Sequence, residues 1–431
     1  MSERGVSRRG VLAGLAAPVL VRAAVPAAAA TLSACTRPSP SIHVAAVWSG
    51  QELAAFRKVL AGYEDQSGER VEVVTAGDDI DALLRSRDAA GSLPDVAILP
   101  QPGLVRTYVR KGRLVALPES FADGIADGLR ELVTVDGQLY GVWVKTAHKS
   151  LFWYRPSGLA GHPPPVTWDQ LVDLIRRLAR DGRTPLAVAA ADGWVLATWF
   201  ANVLLAVAGG AEYERLASGA GDWGSAAVRA ALDHLAELWS IPGAFPDGRH
   251  VALLTQFEQS VVDVLVTRKA AVMFEGDFVA TVVDRFSDAG HVREAPRVFR
   301  FPTVAGSRPL VIGGDVAVAF KESGLELLRW LTRPDAVAPW VRQGGFLSPN
   351  RGVPLEQYPA GLARGLATEL RAEERSLQFN LSDLLADGAG VDGRHMWRIM
   401  QNFFAAVSTP GAAPGLATRR AAADLVRAAR G

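Results

Sequence analysis

The chain of 431 residues contains one cysteine, four methionines and seven histidines. A single cysteine cannot form a disulfide within the chain, so packing must hold the fold. The histidines are scattered, with no pair at a metal-ligand spacing, and neither a metal nor a cofactor is expected. No basic stretch is interleaved with aromatics and the formal net charge is +1, which argues against nucleic acid as a partner. No GxxxxGK[ST] loop is present to cradle a nucleotide. The run from Gly388 to Gly393 fits GxGxxG, but no good strand precedes it and too little chain follows for a dinucleotide-binding unit. Lysine is scarce as well. Only six of the 46 basic residues are lysines, so Lys145 and Lys149 stand out.

What the chain does have begins with Ser7-Arg8-Arg9, followed by Val11, Leu12 and an alanine-rich run that closes on Leu32-Ser33-Ala34-Cys35. This pattern reads as a twin-arginine export signal joined to a lipobox, the cleavage and acylation site of bacterial lipoproteins. On that reading residues 1–34 are removed and Cys35 carries lipid on its sulfur. Residues 35–41 are then a linker, and the protein works at the extracytoplasmic face of the cell membrane. The run is a poor permanent membrane anchor, because it holds Pro18, Arg22 and Pro26 and is mostly alanine.

The remaining length is too great for one ordinary core and suits two domains. Ile42–Val47, Val71–Val74 and Asp95–Leu99 read as strands, with helices over Gln51–Gln66 and Ile80–Ala90 between them. This β-α-β-α-β order implies a parallel sheet with right-handed crossovers. The loops after its strands, beginning at Trp48, Ala76 and Pro100, then share one edge, where open α/β sheets bind ligands. Further on, Thr167-Trp168-Asp169-Gln170 fits a capping box. A strand is expected at Leu186–Ala190 and helices over Trp194–Val207, Ala226–Trp239 and Gln256–Val266. Strands return at Ala270–Phe274, Arg297–Phe301 and Val316–Phe320, and the rest is mainly helix.

In this order the chain resembles the family 1 extracellular solute-binding proteins of ABC importers, most of all the α-glucoside and oligosaccharide-type members. The resemblance rests on Val47-Trp48-Ser49-Gly50, Leu93-Pro94-Asp95-Val96-Ala97, Pro100-Gln101-Pro102-Gly103-Leu104, Val135-Asp136-Gly137-Gln138-Leu139-Tyr140-Gly141-Val142, Lys149-Ser150-Leu151-Phe152-Trp153-Tyr154, Gly313-Gly314-Asp315-Val316 and Gly344-Gly345-Phe346-Leu347-Ser348-Pro349-Asn350. It implies an α/β, two-lobe periplasmic-binding-protein-like clamshell, each lobe a mainly parallel sheet flanked by helices. One lobe is expected over 42–147 plus 268–312 and the other over 150–265 plus 316–431. Hinge crossings are expected near Lys145–Lys149, Val266–Lys269 and Ile312–Asp315. The implied partners are a carbohydrate ligand and the permease subunits of an importer in the membrane, with the binding protein itself a monomer.

A sugar pocket needs aromatic faces for the C–H faces of pyranoses and planar polar groups for the hydroxyls. Trp153, Trp168, Trp239, Trp330 and Trp340 lie on periodic apolar faces and are expected in the core. Trp48 ends the first strand on the binding edge, and Trp194 follows Asp192-Gly193 at a helix start, so both are candidates for ligand contact. Asp78 and Asp79 sit in the second loop, where one can cap a helix while the other faces a cleft. Gln101 is held between two prolines, and Lys145 flanks a hinge. Glu275, Asp277, Asp315 and Asp383 complete the candidate set. The family often places an aromatic directly after Gly276, where this chain has Asp277, so a stacking platform is expected to be missing there. Glu275 and Asp277, two apart on an extended segment, would also stand about 6–7 Å apart, within the range of glycoside hydrolase carboxylates. A secreted glycosidase is therefore the alternative from another class. A sensor subunit and a receptor for glycerophosphodiesters or polyols are alternatives on the same fold.

Overall fold

The computed structural model describes residues 41–385 and 391–430, apart from the side chain of Asp78. The arginine pair, Cys35 and the first half of the GxGxxG run lie outside the described residues. Twelve strands are present among those described: β1 Ser41–Ala46, β2 Arg70–Thr75, β3 Val96–Leu99, β4 Thr134–Val135, β5 Gln138–Leu139 and β6 Val142–His148, then β7 Leu151–Tyr154, β8 Leu186–Ala187, β9 Val272–Phe274, β10 Arg297–Arg300, β11 Val311–Ala319 and β12 Gln378–Phe379.

The opening β-α-β-α-β unit forms as its apolar strands and periodic helices require. β1 pairs in parallel with β2 on one side and β3 on the other. The first helix, Gly50–Ser67, buries Phe56, Leu60 and Tyr63 and stops at Gly68, whose φ of 73° supplies the left-handed cap. The larger sheet runs β12-β11-β3-β1-β2, with β6 also paired to β11. β11 is antiparallel to both β3 and β6, so the sheet is mixed rather than uniformly parallel. The smaller sheet runs β10-β7-β9-β8. Only its β8–β9 pair is parallel, and the expectation of a mainly parallel sheet in both halves fails there. Helices Gly193–Ala208, Ala226–Trp239, Gly393–Val407 and Pro414–Ala429 pack together in the half that holds the smaller sheet. The capping box at Thr167 and Gln170 is formed, and it starts helix Trp168–Arg180.

The strands are allotted to the two sheets differently from the expected lobe boundaries. β9 and β10, within the 268–312 stretch expected in the first lobe, pair with β7 in the smaller sheet. β11 begins at Val311, not Val316, and runs through Gly313-Gly314 to pair with β3 and β6 in the larger one. Short apolar strands do not carry the identity of their partners, and pairing is decided by the assembled sheet. The chain passes from the larger sheet to the smaller at Lys149-Ser150, between β6 and β7, and returns between β10 and β11. At the first passage Ser150 Oγ bonds Asn202 Oδ1 at 2.6 Å and accepts from the Val311 backbone N–H at 2.9 Å. The crossing is thus tied to strands and helices on both sides.

The five tryptophans expected in the core are there. Trp153, Trp168, Trp239 and Trp340 are buried, and half-buried Trp330 donates from Nε1 to the Val59 carbonyl at 3.2 Å. No described helix is long and apolar enough to cross a membrane.

Candidate functional site

A cavity of about 250 Å³ opens between the end of the larger sheet and the helices that follow the smaller one. The sheet side is built by strand ends. β1 leads to Trp48, and Gly50, at a φ of 52°, turns the chain into the first helix, which carries Glu52 in its first turn. An acid there complements the helix N-terminus. Gln101 lines the cavity from the loop after β3, at the cap of helix Pro102–Arg110. Lys145 on β6 stands opposite Asp315 on β11, where a bulge between Asp315 and Val316 shifts the register.

The charges on this side are tied down. Lys145 is 2% exposed and ion-paired to Glu52, with its ammonium 5.6 Å from the Trp340 ring centroid. Desolvation opposes its charge, but Glu52, Asp277 and Asp315 outweigh that and raise its pKa. Asp315 is pushed up to about 7 by burial, against the pull of Lys145. Trp48 Nε1 donates to Asp315 Oδ2 at 3.1 Å, and no described cation lies within ion-pair distance of this carboxylate. The Trp48 ring is buried edge-on against Phe56 and Trp340, with centroids 4.8 and 4.9 Å away. Trp48 therefore borders the cavity chiefly as a core ring that orients Asp315.

The helical side is aromatic. Trp194 lies one residue into helix Gly193–Ala208, Phe257 begins helix Phe257–Val261, and Phe278 precedes helix Val279–Asp288. Asp192 Oδ2 accepts from the Phe257 backbone N–H at 2.5 Å and joins the first two helix starts. The three rings cluster, Trp194 to Phe278 at 5.8 Å, Trp194 to Phe257 at 6.2 Å and Phe257 to Phe278 at 5.1 Å. Trp397 adds a fourth aromatic lining residue. It packs so closely on Gly193 that a Cβ there would lie 2.6 Å from the Trp397 Cβ. Between the two sides, Lys149 pairs with Asp383 at 2.7 Å and lies 5.7 Å from the Trp194 ring centroid. Arg285 and Glu258 form a third ion pair, at 2.8 Å.

Of the candidate residues, the fold brings Trp48, Gln101, Lys145, Trp194, Asp315 and Asp383 to this cavity. Asp79 is not among its lining residues. It caps helix Ile80–Ala89, accepting from the Ala82 N–H at 3.4 Å, and pairs with Arg394. Asp78 lies outside the residues whose side chains are described. Glu275 and Asp277 do not line the cavity either, so the pair on which the glycosidase alternative rested is not at this site. Glu275 is 3% exposed, and burial and the Asp192 carboxylate hold its pKa well above the usual range against Lys149. Asp277 Oδ1 accepts from the His148 backbone N–H at 2.7 Å, and burial raises its pKa in spite of Lys145.

Lining residues that the sequence reading missed are Glu52, Lys149, Phe257, Glu258, Phe278, Arg285 and Trp397. Phe278 supplies an aromatic one position later than expected. Its ring lies over Gly276, where any Cβ would collide with it. The Gly276-Asp277-Phe278 run was the available signal. For Glu258, Arg285 and Trp397 there was none, since each enters through packing of helices remote in sequence. Among the described residues no group of three His, Cys, Asp or Glu is placed to hold a metal.

Two α/β halves joined by crossing strands, with a cavity between them, make this a clamshell binding protein. The chain belongs to the bacterial extracellular solute-binding proteins, whose family model matches residues 48–338. It is 28% identical over 369 residues to the osmoprotective compounds-binding protein GgtB of Synechocystis sp., covering 81% of this chain and 86% of that one. It is 26% identical over 396 residues to the alpha-glucosides-binding periplasmic protein AglE of Rhizobium meliloti, covering 86% of this chain and 84% of the relative. In fold it is similar to the bacterial solute receptor AcbH, described as having an exclusive preference for β-D-galactopyranose. The TM-score is 0.75, at 17% identity, over 89% of this chain and 97% of the receptor.

Proposed function

We propose that the protein is the lipid-anchored, extracytoplasmic substrate-binding component of an ABC importer and captures an uncharged carbohydrate or polyol by closing its two halves on it. The observation that carries this reading is the cavity itself, which joins an aromatic cluster of Trp194, Phe257 and Phe278 to hydrogen-bonding groups paired among themselves. Lys145 with Glu52, Lys149 with Asp383 and Arg285 with Glu258 leave no described lining cation free for an anionic ligand. Aromatic faces suit sugar C–H surfaces, and fixed carboxylates, ammonium groups and Gln101 suit hydroxyls. The volume is near the lower end of small-molecule sites, which run from about 300 Å³ upward, and favours a compact glycoside over a long oligosaccharide. Relatives named for alpha-glucosides and for osmoprotective compounds are consistent with both ligand types.

Closure needs contacts that exist only when the halves meet, so ligand groups must come from both walls. The bends for it are proposed at Lys149-Ser150 and between β10 and β11. The protein is read as a receptor without catalytic activity, because Glu275 and Asp277 stand away from the cavity. Calorimetry of the mature protein against neutral mono- and disaccharides, heterosides, polyols and matched sugar acids and phosphates tests the reading. Saturable binding of a neutral compound, recovered unchanged, is expected. Preference for an acidic or phosphorylated sugar, or release of hydrolysis product, would overturn it. For the anchor, Cys35→Ala should abolish labelling by a fatty-acid probe, and undiminished labelling would refute lipidation.

A further inference from the structure

A second cavity, of about 240 Å³, lies apart from the first and shares none of its lining residues. One side is formed by Trp153 of β7, Asp277 and Pro296, the other by the Gly344-Gly345-Phe346-Leu347 loop and by Leu362 and Leu366. Helix Val279–Asp288 separates the two cavities. It gives Thr281, Val282 and Arg285 to the first and Ala280, Val283 and Asp284 to the second, since residues three to four apart share a helix face. The helix is also packed tightly on the loop, since a Cβ on Gly345 would collide with Thr281 Cγ2.

The lining of this second cavity is apolar but for Gln343 and two carboxylates, and it contains no lysine, arginine or histidine. Asp277 is 3% exposed. One of its oxygens accepts from the His148 N–H, and the other has no hydrogen-bond partner among the described residues. Asp284 stands exposed at the rim. A buried carboxylate with an unused acceptor, an apolar surround and a second acid at the entrance complement a donor that is positively charged and carries a hydrocarbon body. We propose that this cavity is a second ligand site, for a small organic ammonium ion, distinct from the solute cleft. An occupant would bear on helix Val279–Asp288 from the face opposite the solute, so the two sites share one element through which they can be coupled.

Calorimetry of the mature protein with benzylammonium, and with benzyl alcohol as its uncharged counterpart, tests the proposal. Benzylammonium should bind saturably to wild type and to Trp194→Ala alike. Benzyl alcohol should bind roughly 10- to 100-fold more weakly, the range expected for a charge-assisted hydrogen bond. Asp284→Asn, at an exposed position, should weaken benzylammonium by about 10-fold, and Ala363→Trp, which fills the cavity, should remove binding. Absence of saturable binding, equal affinity for the alcohol, or binding lost in Trp194→Ala but kept in Ala363→Trp would each overturn it. None of these measurements uses the solute, so the carbohydrate reading stands or falls separately.

Discussion

The wall of the solute cavity that comes from the larger sheet is charged, whereas the wall from the helices is aromatic. Lys145 and Asp315 face each other on paired strands, where the backbone ladder fixes each Cα, and Glu52 reaches Lys145 from the first turn of the neighbouring helix. Trp194, Phe257 and Phe278 meet at helix starts, with Trp397 a turn into its own helix, where no ladder constrains them and ring packing sets their positions. The difference teaches that one wall is built into the stability of its half, while the other can be trimmed with little effect beyond binding.

The largest expected effect breaks the charged wall. Lys145→Ala leaves Glu52 without its ion-pair partner and removes the cation whose field favours the Asp315 carboxylate, and loss of one partner of a buried pair costs about 3–5 kcal/mol. Chemical unfolding of the unliganded protein measures it, and a change below about 1 kcal/mol would mean the wall is not structural. Trp194→Ala attacks the other wall. It should weaken solute binding by roughly 1–3 kcal/mol and leave unliganded stability within about 1 kcal/mol of wild type. A large loss of stability without change in affinity would reverse the contrast between the walls.

Asp315 sharpens the comparison through pH. Its pKa is near 7 in the folded protein against an ordinary carboxylate value of 3.8 when unfolded. The folded state therefore holds the extra proton between those values, and this contribution to stability is present at low pH and lost as pH rises through about 7. Asp315→Asn should flatten that fall and stabilise the protein near pH 8 by about 1–2 kcal/mol, less than the full shift implies because the side chain is partly open to the cavity. An unchanged slope between pH 4 and 8 would show that another group carries it. The smallest effect concerns Asp79, placed by the structure on Arg394 rather than at the cavity. Asp79→Ala should cost no more than about 1 kcal/mol of stability, through a lost cap and an exposed ion pair, and leave solute affinity unchanged. A drop in affinity would return Asp79 to the site.

Local order was legible in the chain. The opening β-α-β-α-β unit, the capping box at Thr167 and helix Ala226–Trp239 follow from apolar periodicity and cap chemistry, which act over a few residues. Trp48 and Gln101 were legible as cavity residues because a parallel sheet puts the loops after its strands on one edge. Only the tertiary structure decided that β9 and β10 join the smaller sheet and β11 the larger, because strand partners are chosen by non-local pairing. It also decided that Glu275 and Asp277 turn away from the cavity while Phe278, Arg285 and Trp397 face it. Two carboxylates two residues apart read the same in any sequence, and which face is buried depends on the helices and strands packed against them.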